Sequence, residues 1–152
     1  MEASYSSELN KNIMNLLPGF HRFINPIVNT AVFEGEKLQK NQIKIIAVLF
    51  INRSLCPGEI SMMLDIQKGS LTRMLRSLQA LDLIRREDDR HDDRVYHLSL
   101  SSRGERFFIE HQQNCDRKFN ELFSALDNQD RNELGSALSI LHKYFEKIGA
   151  EQ

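Results

Sequence analysis

The chain has 152 residues, 41% of them hydrophobic, and sets 20 Lys or Arg against 21 Asp or Glu for a formal net charge of −1. That length suits one domain with a modest core, and the near-neutral total means that any attraction to nucleic acid must come from local charge distribution. No apolar run reaches the length of a membrane span, Met1-Glu2-Ala3-Ser4 lacks the basic start of an export signal, and two cysteines are too few for a disulfide framework, so a cytoplasmic protein with no membrane partner is expected.

Residues 7 to 34 carry apolar groups at helical spacing from Leu9 and Ile13 through Phe20 and Phe23 to Ile27 and Ala31. A long helix is expected, kinked or interrupted at Pro18-Gly19 and Pro26. Asn41 to Asn52 is apolar on nearly every face, as a helix at the centre of a small domain would be. Pro57 fits the first turn of a short helix through about Leu64, and Asp65 to Gln67 make a turn into the next element.

That next element is the most informative. Leu71, Met74, Leu75, Leu78 and Leu81 recur at three- and four-residue steps, one stripe of a helix that packs on a core. The opposite stripe is Gly69, Thr72, Arg73 and Arg76, flanked by Gln67, Lys68 and Ser70, and no carboxylate occurs between Lys68 and Ala80. A small, hydroxylated, cationic face suits a polyanion with a readable groove. Gly69, Ser70 and Thr72 allow close approach, while Lys68, Arg73 and Arg76 can reach phosphates or guanine edges.

A charged hairpin follows. Leu83, Ile84 and Arg85 read as a short strand, and Val95 to Leu100 alternate as a half-buried strand does. Arg86 to Arg94 between them is a polar run that no core accepts, hence a solvated tip. Within it Asp92 is spaced to hold Arg94 in a fixed pose for a minor groove or phosphate, with Arg90 beside them. Glu87, Asp88, Asp89, Asp92 and Asp93 outnumber Arg86, Arg90 and Arg94 in this run, which also fits an acidic loop meeting a basic protein. Over Gln67 to Gly104 the balance is eight Lys or Arg to six Asp or Glu.

Ser102 with Glu105 has the pattern of a capping box that starts another helix, with Phe108, His111, Cys115, Phe119, Leu122 and Leu126 on one stripe. Asp127 and Asp130 open a final helix with Leu134, Ala137, Leu138, Leu141, Phe145 and Ile148 on one face. The first and last two helices carry more apolar surface than one recognition module covers. A homodimer is therefore expected.

The recognition helix and hairpin resemble those of the multiple-antibiotic-resistance regulator (MarR) family of bacterial transcription factors. The resemblance rests on Lys68-Gly69-Ser70-Leu71-Thr72-Arg73, Leu83-Ile84-Arg85-Arg86, Asp89-Arg90-His91-Asp92-Asp93-Arg94 and Leu100-Ser101-Ser102-Arg103-Gly104, with Gln42 and the apolar run after it. These motifs span about residues 38 to 104. The resemblance implies a mainly α fold with a small β-wing: a winged helix-turn-helix lobe over 38–101, flanked by dimerisation helices at 7–34 and 102–150, in one MarR-like domain. It also implies a DNA-binding regulator, usually a repressor, acting as a homodimer on a pseudo-palindromic operator of double-stranded DNA. Three positions depart from the family pattern. Asp82 replaces a glycine after the recognition helix, though Asp tolerates a left-handed backbone. Gln39 and Cys56 fall where Thr or Ser commonly caps a helix, and neither is a good cap.

Such regulators commonly respond to a small aromatic or amphipathic effector, for which Phe20, His21 and Phe23, with Phe33, are the candidates, although such residues more often fill a core. Cys56, near a helix N-terminus, is the candidate redox thiol. His111 and Cys115 stand one turn apart and could share a metal with His21 or Glu110, but both lie on an apolar stripe and no second ligand pair exists, so no metal is expected. A winged module without DNA binding and a redox- or metal-responsive regulator are the alternatives. No activated nucleophile, carboxylate pair or phosphate-cradling glycine loop points to an enzyme or a cofactor.

Overall fold

The structure, a computed structural model, describes residues 2–88 and 96–149, with side chains from residue 7 onward. The chain divides into two compact units, Met1–Cys115 and Asp116–Gln152.

The first unit opens with α1 (Glu2–Gly19), which runs through Pro18 without ending there. Phe20–Ile24 then wind as a π-helical segment, closed by the Asn25 N–H donating to the Phe20 carbonyl, and α2 (Asn25–Val28) follows. The wider turn ends just before Pro26, whose ring cannot donate to the carbonyl four residues back. The helix expected to reach residue 34 stops at Val28. Beyond it, β1 (Val32–Phe33) and β2 (Glu36–Lys37) pair as a hairpin around Glu34 and Gly35. Both turn residues have positive φ, 49° and 85°, as a right-twisted two-residue hairpin requires.

α3 (Lys40–Asn52) forms the floor of the core, burying Ile43, Ile45, Ile46 and Leu49, although Ile51 at its end is 74% exposed. α4 (Pro57–Leu64) buries Ile60, and α5 (Lys68–Ala80) buries Leu71, Met74, Leu75 and Leu78. The core is completed by Leu83, Ile84, Leu98 and Leu100 of the wing region and by Phe107 and Phe108. Phe33, expected on the first helix, lies instead on β1, packed edge-on against Phe107 at 5.2 Å.

Helix ends show how the unusual caps work. The N3 side chains do the capping: Gln42 Oε1 accepts the Gln39 N–H at 2.8 Å, and Glu59 Oε2 accepts the Cys56 N–H at 2.7 Å. The Cys56 backbone N–H and then its thiol hold the Glu59 carboxyl below the usual carboxylate range, with a smaller attraction from His97. Asp82 adopts the left-handed conformation expected of it, φ 54°, and the Leu83 N–H reaches back to the Leu78 carbonyl at 3.0 Å to close α5.

The wing strands β3 (Ile84–Asp88) and β4 (Tyr96–Leu100) are antiparallel, from Ile84 opposite Leu100 to Asp88 opposite Tyr96. Leu55 adds a bridge on the other side of β4 through two hydrogen bonds with Leu98. α6 (Ser102–Leu122) starts one residue earlier than the Ser102 cap expected. Ser101 is the cap, its Oγ accepting the Gly104 N–H at 3.0 Å and donating to the Asp82 carbonyl at 2.5 Å.

In the second unit the end of α6 leads into a 3-10 turn, Phe123–Ala125, and then α7 (Asn128–Gly149). Asp127 caps α7 by accepting the Asp130 N–H at 2.8 Å, as its place before the last helix foretells. No described residue of α7 is buried. No described helix is long and apolar enough to cross a membrane.

Candidate nucleic-acid interface

The bounds of α5 follow from its residues. Gln67 is extended and makes no side-chain cap, so the N–H groups of the first turn are left without a side-chain acceptor, and that turn holds no acid. A helix start of this kind attracts an anion through its orphan N–H groups and its dipole. Lys68 adds a full charge at the same end.

Gln67, Lys68, Gly69, Ser70, Thr72, Arg73 and Arg76 are all exposed. The buried leucines and Met74 take the opposite stripe, so these residues share the outward one. Thr72 Oγ1 donates to the Lys68 carbonyl at 2.9 Å, which tethers its hydroxyl. A Cβ built on Gly69 would have nothing within 4 Å, so its missing side chain leaves surface open rather than relieving a clash. Among the described residues neither Arg73 nor Arg76 forms an ion pair, which leaves both guanidinium groups available to phosphate or base.

The wing is longer than the sequence pattern suggests, because Arg86, Glu87 and Asp88 are strand rather than tip. Their charges are matched in place. Arg85 pairs with Glu87 at 3.2 Å and donates to Ser99 Oγ at 2.9 Å; Arg86 pairs with Asp88 at 2.6 Å and lies 3.9 Å over the Tyr96 ring. Alternation along β3 puts these pairs on opposite faces. Two of the five wing carboxylates that favoured a basic protein partner are thus neutralised by neighbouring arginines. Arg90, Asp92 and Arg94 lie outside the described residues.

The other candidate residues are scattered. Phe20, His21 and Phe23 fall on the π-helical segment and are exposed, with His21 Nδ1 2.9 Å from Asn25 Nδ2. They do not line a cavity of about 130 Å³ in the first unit, which is bounded by Ala31, Val32, Phe107, Glu110, His111 and Asn114. That volume is below the ~300–1,000 Å³ of ordinary ligand sites. Cys56 is half-buried with the Glu59 carboxylate already occupying the helix end that a thiolate would use. His111 and Cys115 are buried, 3.6 Å apart, with the Cys115 thiol also 3.6 Å from the Ile27 carbonyl and the imidazole stacked on Phe107. No cluster of three metal-ligating side chains occurs among the described residues.

One buried polar pair escaped the sequence pattern. Gln42, 6% exposed inside α3, donates through Nε2 to Ser77 Oγ on α5 at 3.0 Å. A glutamine within an apolar helix was the available signal, since a buried amide needs partners.

The sequence model described as the MarR family matches residues 38–95. The transcriptional repressor MprA of Escherichia coli K12 is 31% identical over 86 residues, 55% of this chain and 47% of that protein. The chain thus spans about half the length of the curated relatives it matches. Among solved structures, apo MarR from E. coli is similar with a TM-score of 0.69 at 20% identity, covering 88% of this chain and 95% of that one. FabT of Streptococcus pneumoniae, solved in complex with DNA, is similar with a TM-score of 0.65 at 18% identity, covering 94% and 99%. These likenesses extend the winged-helix fold beyond the matched segment.

Proposed function

We propose that the chain is a winged helix-turn-helix transcription regulator of the MarR family, whose sequence model matches residues 38–95, and that it is a repressor that binds operator DNA as a cytoplasmic homodimer. The observation that carries this reading is the outward face of α5, cationic and without a carboxylate, opposite a stripe buried in the core. Gln67, Gly69, Ser70, Thr72, Arg73 and Arg76 supply the major-groove face, and Lys68 a phosphate contact at the helix start. Arg90, Asp92 and Arg94, outside the described residues, are assigned to the wing contact on their sequence pattern alone. The family is one of regulators, not of enzymes.

Exposed apolar side chains support the dimer. On α1 they include Leu9, Met14 and Leu16, and on α7 Ile140, Tyr144 and Phe145, each more than half exposed in the single chain. Such surface is costly to leave in water. The helices within the two terminal regions, about 7–34 and 102–150, are accordingly assigned to dimerisation in a single MarR-like domain whose winged lobe is 38–101. Two-fold symmetry then sets two α5 helices on half-sites about 34–36 Å apart or a multiple of that, so the operator is pseudo-palindromic. A small aromatic or amphipathic effector would tune affinity.

A mobility-shift titration against random duplex DNA at low salt tests the reading. The expected result is retardation that rising salt abolishes, with tighter binding to intergenic DNA beside the protein's own gene. Absence of any shift at low salt would overturn it.

A further inference from the structure

We propose that Gln42 is a positioning residue for DNA recognition, setting through Ser77 the rotation of α5 about its own axis and so the direction in which Arg73 and Arg76 point. The inference rests on the DNA-binding reading and adds to it the element that aims the helix.

α5 meets the core through Leu71, Met74, Leu75 and Leu78. Apolar contact fixes how close the helix lies, but it is non-directional, and a stripe of leucines tolerates a small roll with little loss of buried area. A hydrogen bond is directional and does not. Among the described residues the Gln42–Ser77 bond is the one side-chain hydrogen bond between α5 and another helix or strand.

Its two ends differ in a useful way. Gln42 sits in α3, next to the fully buried Ile45 and Ile46 one turn on, and its Oε1 is occupied by the Gln39 N–H. With the oxygen so engaged, the Nε2 group must face Ser77, so the amide is oriented from both sides. Ser77 is exposed on α5 and lies four residues after Arg73, about 40° round the helix and one turn along. The bond therefore grips the flank of the helix, between the buried stripe and the reading residues, from an element that belongs to the floor of the core.

Small rotations matter here. Side chains end about 6 Å from a helix axis, so a 20° roll displaces them by about 2 Å. That is enough to break a bidentate contact to a base edge, while phosphate attraction, which is less geometric, survives. Loss of the bond should then reduce discrimination rather than DNA binding as a whole.

The test uses the full chain and a pool of randomised 30-base-pair duplexes, from which the wild type selects its preferred site. Affinities for that site and for the unselected pool are compared in wild type, Ser77→Ala and Ser77→Thr. Alanine at an exposed helical position favours the helix, so Ser77→Ala is expected to fold. The expected result is a roughly tenfold loss on the selected site for Ser77→Ala, little change on the unselected pool, and recovery in Ser77→Thr, which keeps the hydroxyl. An unchanged ratio in Ser77→Ala, whether from no loss or from equal loss on both DNAs, overturns the positioning role and leaves the regulator reading intact. Failure of the wild type to bind any duplex at low salt removes both, and the wild type alone reveals it.

Discussion

Gly104 lies so close beneath the Leu83 carbonyl that a Cβ on it would overlap the oxygen and come within 3.3 Å of Leu83 Cα. The first turn of α6 is held there because Ser101 bonds the carbonyls and N–H groups around it: its N–H donates to Leu83 O at 3.1 Å and its Oγ to Asp82 O. The link that ends α5 and begins the wing is thereby locked to the start of α6.

The contact makes the sign of one substitution unusual. At an open helical site Gly→Ala stabilises by about 1 kcal/mol. Gly104→Ala should instead destabilise by about 1–3 kcal/mol, because backbone must move to admit the methyl group. Urea denaturation monitored by circular dichroism reads the difference, and a variant as stable as wild type would show that Leu83 yields freely.

Gly69 should respond in the opposite direction. With nothing within 4 Å of its would-be Cβ, Gly69→Ala meets no clash in the free protein. The same denaturation experiment should show stability unchanged or raised by up to about 1 kcal/mol. Operator affinity should nonetheless fall, since the new methyl group stands on the face proposed to approach DNA. Stability and affinity rising together would contradict that placement.

Arg73 carries a separate expectation. Arg73→Ala should leave stability within about 0.5 kcal/mol, as expected for an exposed side chain without a partner among the described residues. If the arginine meets a phosphate, the slope of log affinity against log salt drops by about one unit; if it reads a base, discrimination at one position weakens by about 1–3 kcal/mol. A titration unchanged in affinity, slope and specificity would remove Arg73 from the interface.

Glu59 makes stability depend on pH. Its carboxyl is held below its ordinary range in the folded protein, chiefly by the Cys56 N–H. The folded state thus binds that proton less readily than the unfolded one, so the contribution is present above the unfolded value and disappears as pH falls through the lowered folded one. Glu59→Gln should flatten this acid limb of the stability curve while changing little of its remaining shape. Parallel acid limbs in wild type and variant would dissociate the effect from Glu59.

Much of this molecule was legible in its sequence. The leucine stripe from Leu71 to Leu81 marks α5, which spans Lys68–Ala80, because helical periodicity is a local property that repeats within a few residues. The outward arginines follow from the same local pattern, whereas the stop at Asp82 follows from the family resemblance and from the tolerance of Asp for a left-handed backbone. Boundaries were less secure where local signals competed. Ser102 with Glu105 imitates a capping box, yet Ser101 wins because its hydroxyl also reaches Asp82, nineteen residues earlier. Glu34-Gly35 carries only one glycine as a turn signal inside a helical apolar pattern, which hid the β1–β2 hairpin. Arg86 to Asp88 looked like loop because their polarity was read without the cross-strand partners that pair them into β3.

The sequence by itself determined which helices form and which face of α5 is cationic, since spacing along one chain decides both. Only the tertiary structure decided how α5 is gripped. Gln42 and Ser77 are 35 residues apart, and no periodicity links two polar side chains that meet only after α3 and α5 have packed on a common core. A directional bond between distant residues depends on the packing of everything between them, and that information exists only in the folded chain.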